Sequence, residues 1–137
     1  MRIAIDSSVL LDVLVAEREY GERSRAALRR AYDSGALVAC DVVWAEIRAN
    51  FPDDASFSDA LGLLGVRFDP LVADTARVAG EMWREYCIRV RKRRSRVVAD
   101  FLIGAHALHQ ADRLLCRDRG YYREHFSGLR LIDPATE

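Results

Sequence analysis

The chain has 137 residues, of which half are apolar and 31% are charged, and its 21 basic and 21 acidic side chains give a formal net charge of zero. This length and composition predict one globular domain over residues 1–137, and the balanced charge excludes a strong overall attraction to nucleic acid. No apolar stretch is long enough to cross a membrane, no signal peptide is predicted, and the three cysteines are widely spaced. We therefore expect a cytoplasmic protein with reduced thiols.

Short apolar runs alternate with helical patterns along the chain. We predict strands at residues 3–5, 37–40, 66–68, 114–116 and 129–132. Helices are predicted over residues 9–14, 22–33, 43–51, 58–64, 70–93 and 97–110. The predicted N-caps are Ser7 or Ser8, Asp41, and Ser56 or Ser58. Because the strands are apolar throughout rather than alternating, the pattern indicates an α/β fold with a parallel sheet covered on both faces.

Four acidic residues lie beside apolar segments. Asp6 follows the first predicted strand, and Glu46 lies about one helical turn after the second. Asp100 lies in the most apolar helical pattern, and Asp118 comes two residues after the strand that ends at Cys116. Ligand sites in parallel α/β sheets lie beyond the carboxyl ends of the strands, where a helix antiparallel to the strands also begins. The four carboxylates are therefore expected to converge at that edge.

Converging carboxylates raise one another's pKa values unless a cation neutralises them. Oxygen donors without cysteine or histidine are the ligands that Mg²⁺ and Mn²⁺ prefer. Such a site would support hydrolysis of a phosphodiester by a metal-activated water.

Each acid also has a simpler interpretation. Asp6 could be a helix cap, Asp118 a turn residue before Gly120, and Glu46 an exposed acid on a helix surface. Asp100 is the hardest to explain in this way, because its apolar neighbours leave little solvent-facing surface and an unpaired buried carboxylate is costly.

Four segments of the chain resemble, in order, the successive motifs of a known family. They are AIDSSVLL, VVWAEI, VVADFLIGAHAL and LLCRDRGYYREHFSGLRLIDP. They resemble PIN-domain ribonucleases, and most closely the VapC toxins of toxin–antitoxin pairs. The resemblance covers essentially the whole chain, and its last two motifs are the most specific.

This resemblance implies a PIN-like three-layer α/β/α sandwich whose parallel sheet has about five strands. It also implies that four acids hold Mg²⁺ or Mn²⁺ and cut RNA, namely Asp6, Glu46, Asp100 and Asp118. The implied protein partners are a VapB-type antitoxin, whose C-terminal segment covers the active site, and a second copy in a homodimer. Where many relatives carry Asn or Thr in the first motif, this chain has Ser7 and Ser8, and we expect Ser8 to hydrogen-bond a carboxylate or a bound water.

The densest positive charge is the run RVRKRRSR, residues 89–96, which directly precedes the helix of Asp100. We call this run the basic arm, and predict that Arg93, Arg94 and Arg96 contact RNA phosphates, with Arg117 as a weaker candidate. The alternative is a solvated helix end whose cations favour the helix dipole.

The sequence thus predicts a Mg²⁺-dependent endoribonuclease that acts as the toxin of a toxin–antitoxin pair. One alternative is a non-catalytic PIN-like module whose acids only dock a basic partner segment. A second is an aspartate-based small-molecule phosphatase, which the Asp-Ser-Ser sequence disfavours because phosphatases of the haloacid dehalogenase type require Asp-x-Asp.

Overall fold

The structure is a computed structural model that describes residues 1–136. Its strands are β1 (Arg2–Ile5), β2 (Ala36–Ala39), β3 (Val66–Phe68), β4 (Arg113–Leu115) and β5 (Leu131–Ile132). Its helices are α1 (Ser7–Leu14), α2 (Gly21–Ser34), α3 (Asp41–Arg48), α4 (Asp54–Leu64), α5 (Ala73–Arg89), α6 (Val98–Gln110) and α7 (Tyr121–His125).

The strands form one parallel sheet in the order β3-β2-β1-β4-β5. The central strand β1 pairs with β2 on one side and with β4 on the other. The strand order therefore reverses at β1, with β2 and β3 on one side of it and β4 and β5 on the other. Ile3, Ile5 and Leu114 are fully buried, as expected for strands covered by helices on both faces. The predicted three-layer fold with five parallel strands is therefore confirmed, and its switch point lies at the carboxyl ends of β1 and β4.

The starts of α3 and α4 differ from the predicted ones. Asp53, not Ser56 or Ser58, caps α4, because its carboxylate accepts the backbone N–H of Ser56 at 2.8 Å. Asp41 is the first residue of α3 rather than its cap, and its carboxylate instead accepts the N–H of Leu71 at 2.7 Å.

Helix α5 ends at Arg89, which leaves most of the basic arm outside the regular helix. The short helix α7 was not predicted at all. It follows Gly120, whose φ of 101° lies in the left-handed region that favours glycine.

Helices α5 and α6 pack against each other, and α1 packs against α2 and α3. Helix α6 approaches α7 closely, since a Cβ added at Gly104 would overlap the ring of Phe126. None of the helices formed by residues 1–136 has the length and apolar character needed to cross a membrane.

Candidate active site

Asp6 is a buried carboxylate at the carboxyl end of β1. It occupies the N-cap position of α1, but its side chain makes no capping hydrogen bond there. The Ser8 hydroxyl donates a 2.7 Å hydrogen bond to Asp6 Oδ2, as the sequence predicted for Ser8. Burial raises the pKa of Asp6, the Ser8 hydroxyl lowers it, and the charge of Glu46 raises it further. No cationic side chain in residues 1–136 forms an ion pair with this carboxylate.

Glu46 approaches Asp6 from α3. Its side chain is exposed, and its Oε1 accepts a 3.0 Å hydrogen bond from the Ser7 hydroxyl. The two adjacent serines therefore bind two different carboxylates. Neither hydroxyl caps α1, which corrects the predicted capping role of Ser7 or Ser8.

Asp100 lies in the first turn of α6 and is half-buried. Its Oδ2 accepts the backbone N–H of Val97 at 3.0 Å, which stabilises the start of the helix, and no hydrogen bond from residues 1–136 reaches Oδ1. The phenol of Tyr122 lies within electrostatic reach of both Asp6 and Asp100: burial raises the pKa of Tyr122, and the two charges raise it further. The structure thus brings Asp6 and Glu46 together through the adjacent hydroxyls of Ser8 and Ser7, whereas no hydrogen bond within residues 1–136 links Asp100 to either carboxylate.

Asp118 is oriented differently from the other three acids. Its side chain is 0% exposed and faces the N-terminus of α7. Oδ1 accepts the N–H groups of Gly120 and Tyr122 at 3.1 and 3.0 Å. Oδ2 accepts the backbone N–H and the Nη1 of Arg123, both at 3.2 Å. Four donors therefore fill the acceptor capacity of this carboxylate.

A second buried acid lies behind Asp118 and was not predicted. Asp133 is 3% exposed, accepts the backbone N–H of Asp118 at 3.3 Å, and lies 3.6 Å from Nη2 of Arg123. Arg123 therefore bridges two buried carboxylates at the C-terminal end of the chain. A signal was available in the sequence, because Asp133 directly follows the last predicted strand just as Asp6 follows the first.

The four predicted acids do not form one ligand shell as they stand. Within residues 1–136, no three His, Cys, Asp or Glu side chains are grouped so that they could hold a metal ion. Asp6, Glu46 and Asp100 supply the oxygen donors that a hard cation prefers, and none of them is in an ion pair with a basic residue of the described chain. The carboxylate of Asp118 differs from these three, because four donors already bind its oxygens.

The basic arm lies between α5 and α6, beside Asp100. The Tyr86 hydroxyl accepts the backbone N–H groups of Ser95 and Arg96 at 3.1 and 3.2 Å, which ties the arm to α5. Arg94 donates through Nε to the carbonyl of Val90 at 2.9 Å, and Arg93 is exposed with a φ of 56°. Three of the residues predicted to contact phosphate therefore lie shortly before Asp100 in the sequence, and each has a different local environment.

Arg117 does not belong to this surface. Its Nε and Nη2 donate to the two oxygens of Asp12 at 2.6 and 2.9 Å, and its guanidinium lies 4.4 Å above the ring of Tyr20. Asp12 is 2% exposed and also accepts a hydrogen bond from the hydroxyl of Ser24. The predicted phosphate contact of Arg117 therefore competes with a bidentate partner that already holds its guanidinium.

Comparison with known proteins identifies the family. The model of the PIN domain family matches residues 3–125. The chain belongs to the PIN domain family. The resemblance predicted from the four motifs is therefore confirmed. Among curated protein sequences, none matches this PIN domain.

Several solved structures share the fold of this PIN domain at low sequence identity. VapBC2 from Rickettsia felis, bound to a promoter DNA fragment, has 14% identity and a TM-score of 0.71, with 97% of this chain and 98% of that chain covered. A toxin–antitoxin complex from Klebsiella pneumoniae has 17% identity and a TM-score of 0.66, with 96% and 97% covered. The sarcin–ricin loop cleaving toxin VapC20 from Mycobacterium tuberculosis has 16% identity and a TM-score of 0.59, with 93% and 98% covered.

Proposed function

We propose that this PIN domain is a metal-dependent endoribonuclease that acts as the toxin of a toxin–antitoxin pair. The single observation that carries the catalytic part is Asp6, a buried carboxylate with a second carboxylate nearby and no cationic partner in residues 1–136. Such an arrangement is unfavourable unless a cation binds there. The toxin part is supported by the PIN family match and by the VapBC and VapC20 structures that share the fold.

We assign Asp6, Glu46 and Asp100 as the residues that would hold Mg²⁺ or Mn²⁺. When bound, the ion would neutralise phosphate charge and lower the pKa of a water. Ser8 orients the Asp6 carboxylate and Ser7 orients Glu46, through the 2.7 and 3.0 Å hydrogen bonds that their hydroxyls donate. Arg93, Arg94 and Arg96 of the basic arm would bind the phosphates that flank the cut.

The chemical test is cleavage of RNA by the purified protein with Mg²⁺ or Mn²⁺, with and without EDTA. Asp6→Asn and Asp100→Asn should each lower the rate by at least about 100-fold, because even residues that only support metal ligands cost about 10- to 100-fold when replaced. Asp59→Asn, which changes an exposed acid on α4, is the matched control and should cut RNA normally. Cleavage that persists in both variants would refute the ligand assignment, and RNA binding without cleavage would favour the non-catalytic module.

The partner proteins belong to the same proposal. The structures from Rickettsia felis and Klebsiella pneumoniae contain a toxin with its antitoxin, which supports a VapB-type antitoxin as partner. The homodimer is proposed from the resemblance of the four sequence motifs alone. Light scattering of the purified protein tests the homodimer. Co-purification with the product of an adjacent gene, together with loss of ribonuclease activity in that complex, tests the antitoxin.

A further inference from the structure

The phenol of Tyr121 is the one buried side-chain polar group in residues 1–136 without a hydrogen-bond partner. Tyr121 is the first residue of α7 and is 4% exposed. Its ring packs against His125, Tyr122 and Phe101, with centroid separations of 4.9, 4.8 and 5.6 Å. A buried hydroxyl is nearly always paired, so an unpaired one next to a candidate active site calls for a ligand outside the protein.

Arg96 covers this tyrosine. Its guanidinium lies 4.4 Å from the centroid of the Tyr121 ring, whereas its backbone N–H is held by Tyr86. No carboxylate in residues 1–136 forms an ion pair with Arg96. A cation–π contact is weaker than a charge-assisted hydrogen bond to a phosphate, so an arriving phosphate can draw Arg96 away from the ring.

The surroundings keep the Tyr121 hydroxyl a donor. Burial raises the pKa of Tyr121, the charge of Asp100 raises it further, and Arg96 lowers it. The phenol therefore stays protonated near neutral pH. The Tyr121 ring lies beneath Arg96 of the basic arm and packs against Phe101, the residue that follows Asp100 in α6. Helix α7 positions the Tyr121 side chain, and the carboxylate of Asp118 stabilises the start of that helix by accepting the N–H groups of Gly120 and Tyr122.

We propose that Arg96 and Tyr121 together bind one phosphate of the RNA beside Asp100. The guanidinium leaves the ring and pairs with a phosphate oxygen, which uncovers the hydroxyl, and the hydroxyl then donates a hydrogen bond to the same phosphate. Tyr121 is thus a substrate-binding residue. This inference rests on the proposed function, because it names a contact of the same RNA.

The test compares binding of a short, labelled single-stranded RNA in EDTA, where metal-dependent cleavage cannot occur. Fluorescence anisotropy over a range of salt concentrations gives the affinity and its salt dependence. The variants are Tyr121→Phe, Arg96→Ala and the double variant. The matched controls are Tyr32→Phe, which removes an exposed phenol hydroxyl on α2, and Arg67→Ala, which removes an exposed cation on β3.

Tyr121→Phe should weaken RNA binding about 10-fold, as expected for a lost hydrogen bond to a charged group, and leave the salt slope unchanged. Arg96→Ala should also lower the salt slope by about 0.7, the value for one phosphate contact on a single strand. The losses of the double variant should be less than multiplicative, because both groups bind one phosphate. The melting temperature of Tyr121→Phe should equal or exceed that of the wild type, since only an unpaired hydroxyl is removed.

The other outcomes would each contradict one of the two proposals. Unchanged RNA affinity in Tyr121→Phe, or strictly multiplicative losses in the double variant, would overturn the shared phosphate. A lower melting temperature in Tyr121→Phe would show that the hydroxyl has a partner within the protein and would also overturn it. Wild-type protein that neither binds RNA in EDTA nor cleaves it with Mg²⁺ or Mn²⁺ would instead overturn the proposed function, which separates the two failures.

Discussion

Asp118 was predicted as a metal ligand, and the structure predicts that its replacement acts on α7 instead. Asp118→Ala removes the acceptor of three backbone N–H groups at the start of α7 and of the Arg123 guanidinium. Loss of a helix cap costs about 1–2 kcal/mol, and the charged hydrogen bond to half-exposed Arg123 adds about 1 kcal/mol after allowance for solvent. The total is about 2–3 kcal/mol.

Asp118→Asn is the informative partner of this variant. An amide oxygen still caps a helix but is a poorer ligand for a hard cation, so the expected cost is about 1 kcal/mol. For a domain of this size, 1 kcal/mol shifts the melting temperature by about 3–4 °C. Thermal unfolding in EDTA, followed by circular dichroism, should therefore show losses of about 10 °C for Asp118→Ala and about 3 °C for Asp118→Asn.

Repeating the thermal unfolding with Mn²⁺ distinguishes an acid that binds the ion from one that stabilises the start of α7. An ion that binds only the folded protein raises the melting temperature. The wild type and Asp118→Asn should gain equally, whereas Asp100→Asn should gain little. If Asp118→Ala and Asp118→Asn both melt like the wild type in EDTA and both lose the gain from Mn²⁺, Asp118 binds the ion and does not stabilise the start of α7.

Three further predictions concern Asp6, Arg117 and Tyr86. The folded-state pKa of Asp6 is raised above its ordinary value of 3.8. The stability associated with the protonated carboxyl of Asp6 is therefore fully present below pH 3.8 and is lost as the pH rises through the folded-state pKa. Asp6→Asn should therefore unfold at a higher temperature than the wild type in EDTA at pH 7, and this gain should shrink as the pH is lowered towards 3.8; a gain that does not change with pH would contradict the assignment. Arg117→Met leaves the buried carboxylate of Asp12 without its guanidinium, so the free energy of unfolding should fall by about 3 kcal/mol in a urea titration. Its RNA affinity should equal that of the control variant Arg67→Ala. Lower RNA affinity at wild-type stability would instead support a phosphate contact by Arg117. Tyr86→Phe removes the hydroxyl that accepts the Ser95 and Arg96 N–H groups, and these hydrogen bonds contribute about 1 kcal/mol. Limited trypsin digestion should therefore cut the basic arm about fivefold faster than in the wild type. An unchanged digestion rate would show that other contacts hold the arm.

The sequence was sufficient for the sheet, because each strand is a short apolar run and burial on both faces demands that pattern. The sequence also placed Asp6 at the end of β1, Glu46 on the helix after β2 and Asp100 in the first turn of α6. Helix α7 was missed because its sequence, YYREH, has no helical periodicity and its start depends on a carboxylate two to five residues away. The orientation of Asp118 was missed for the same reason.

Local sequence determined which acids reach the carboxyl edge of the sheet, because periodicity and strand ends act over a few residues. Only the tertiary structure decided what each acid does there. Asp6 has no cationic partner within residues 1–136, the oxygens of Asp118 are saturated by donors at the start of α7, and Arg117 pairs with Asp12, 105 residues away in the chain. Hydrogen-bond saturation and ion pairing depend on which groups meet in space, and residues this far apart meet only when the sheet has assembled.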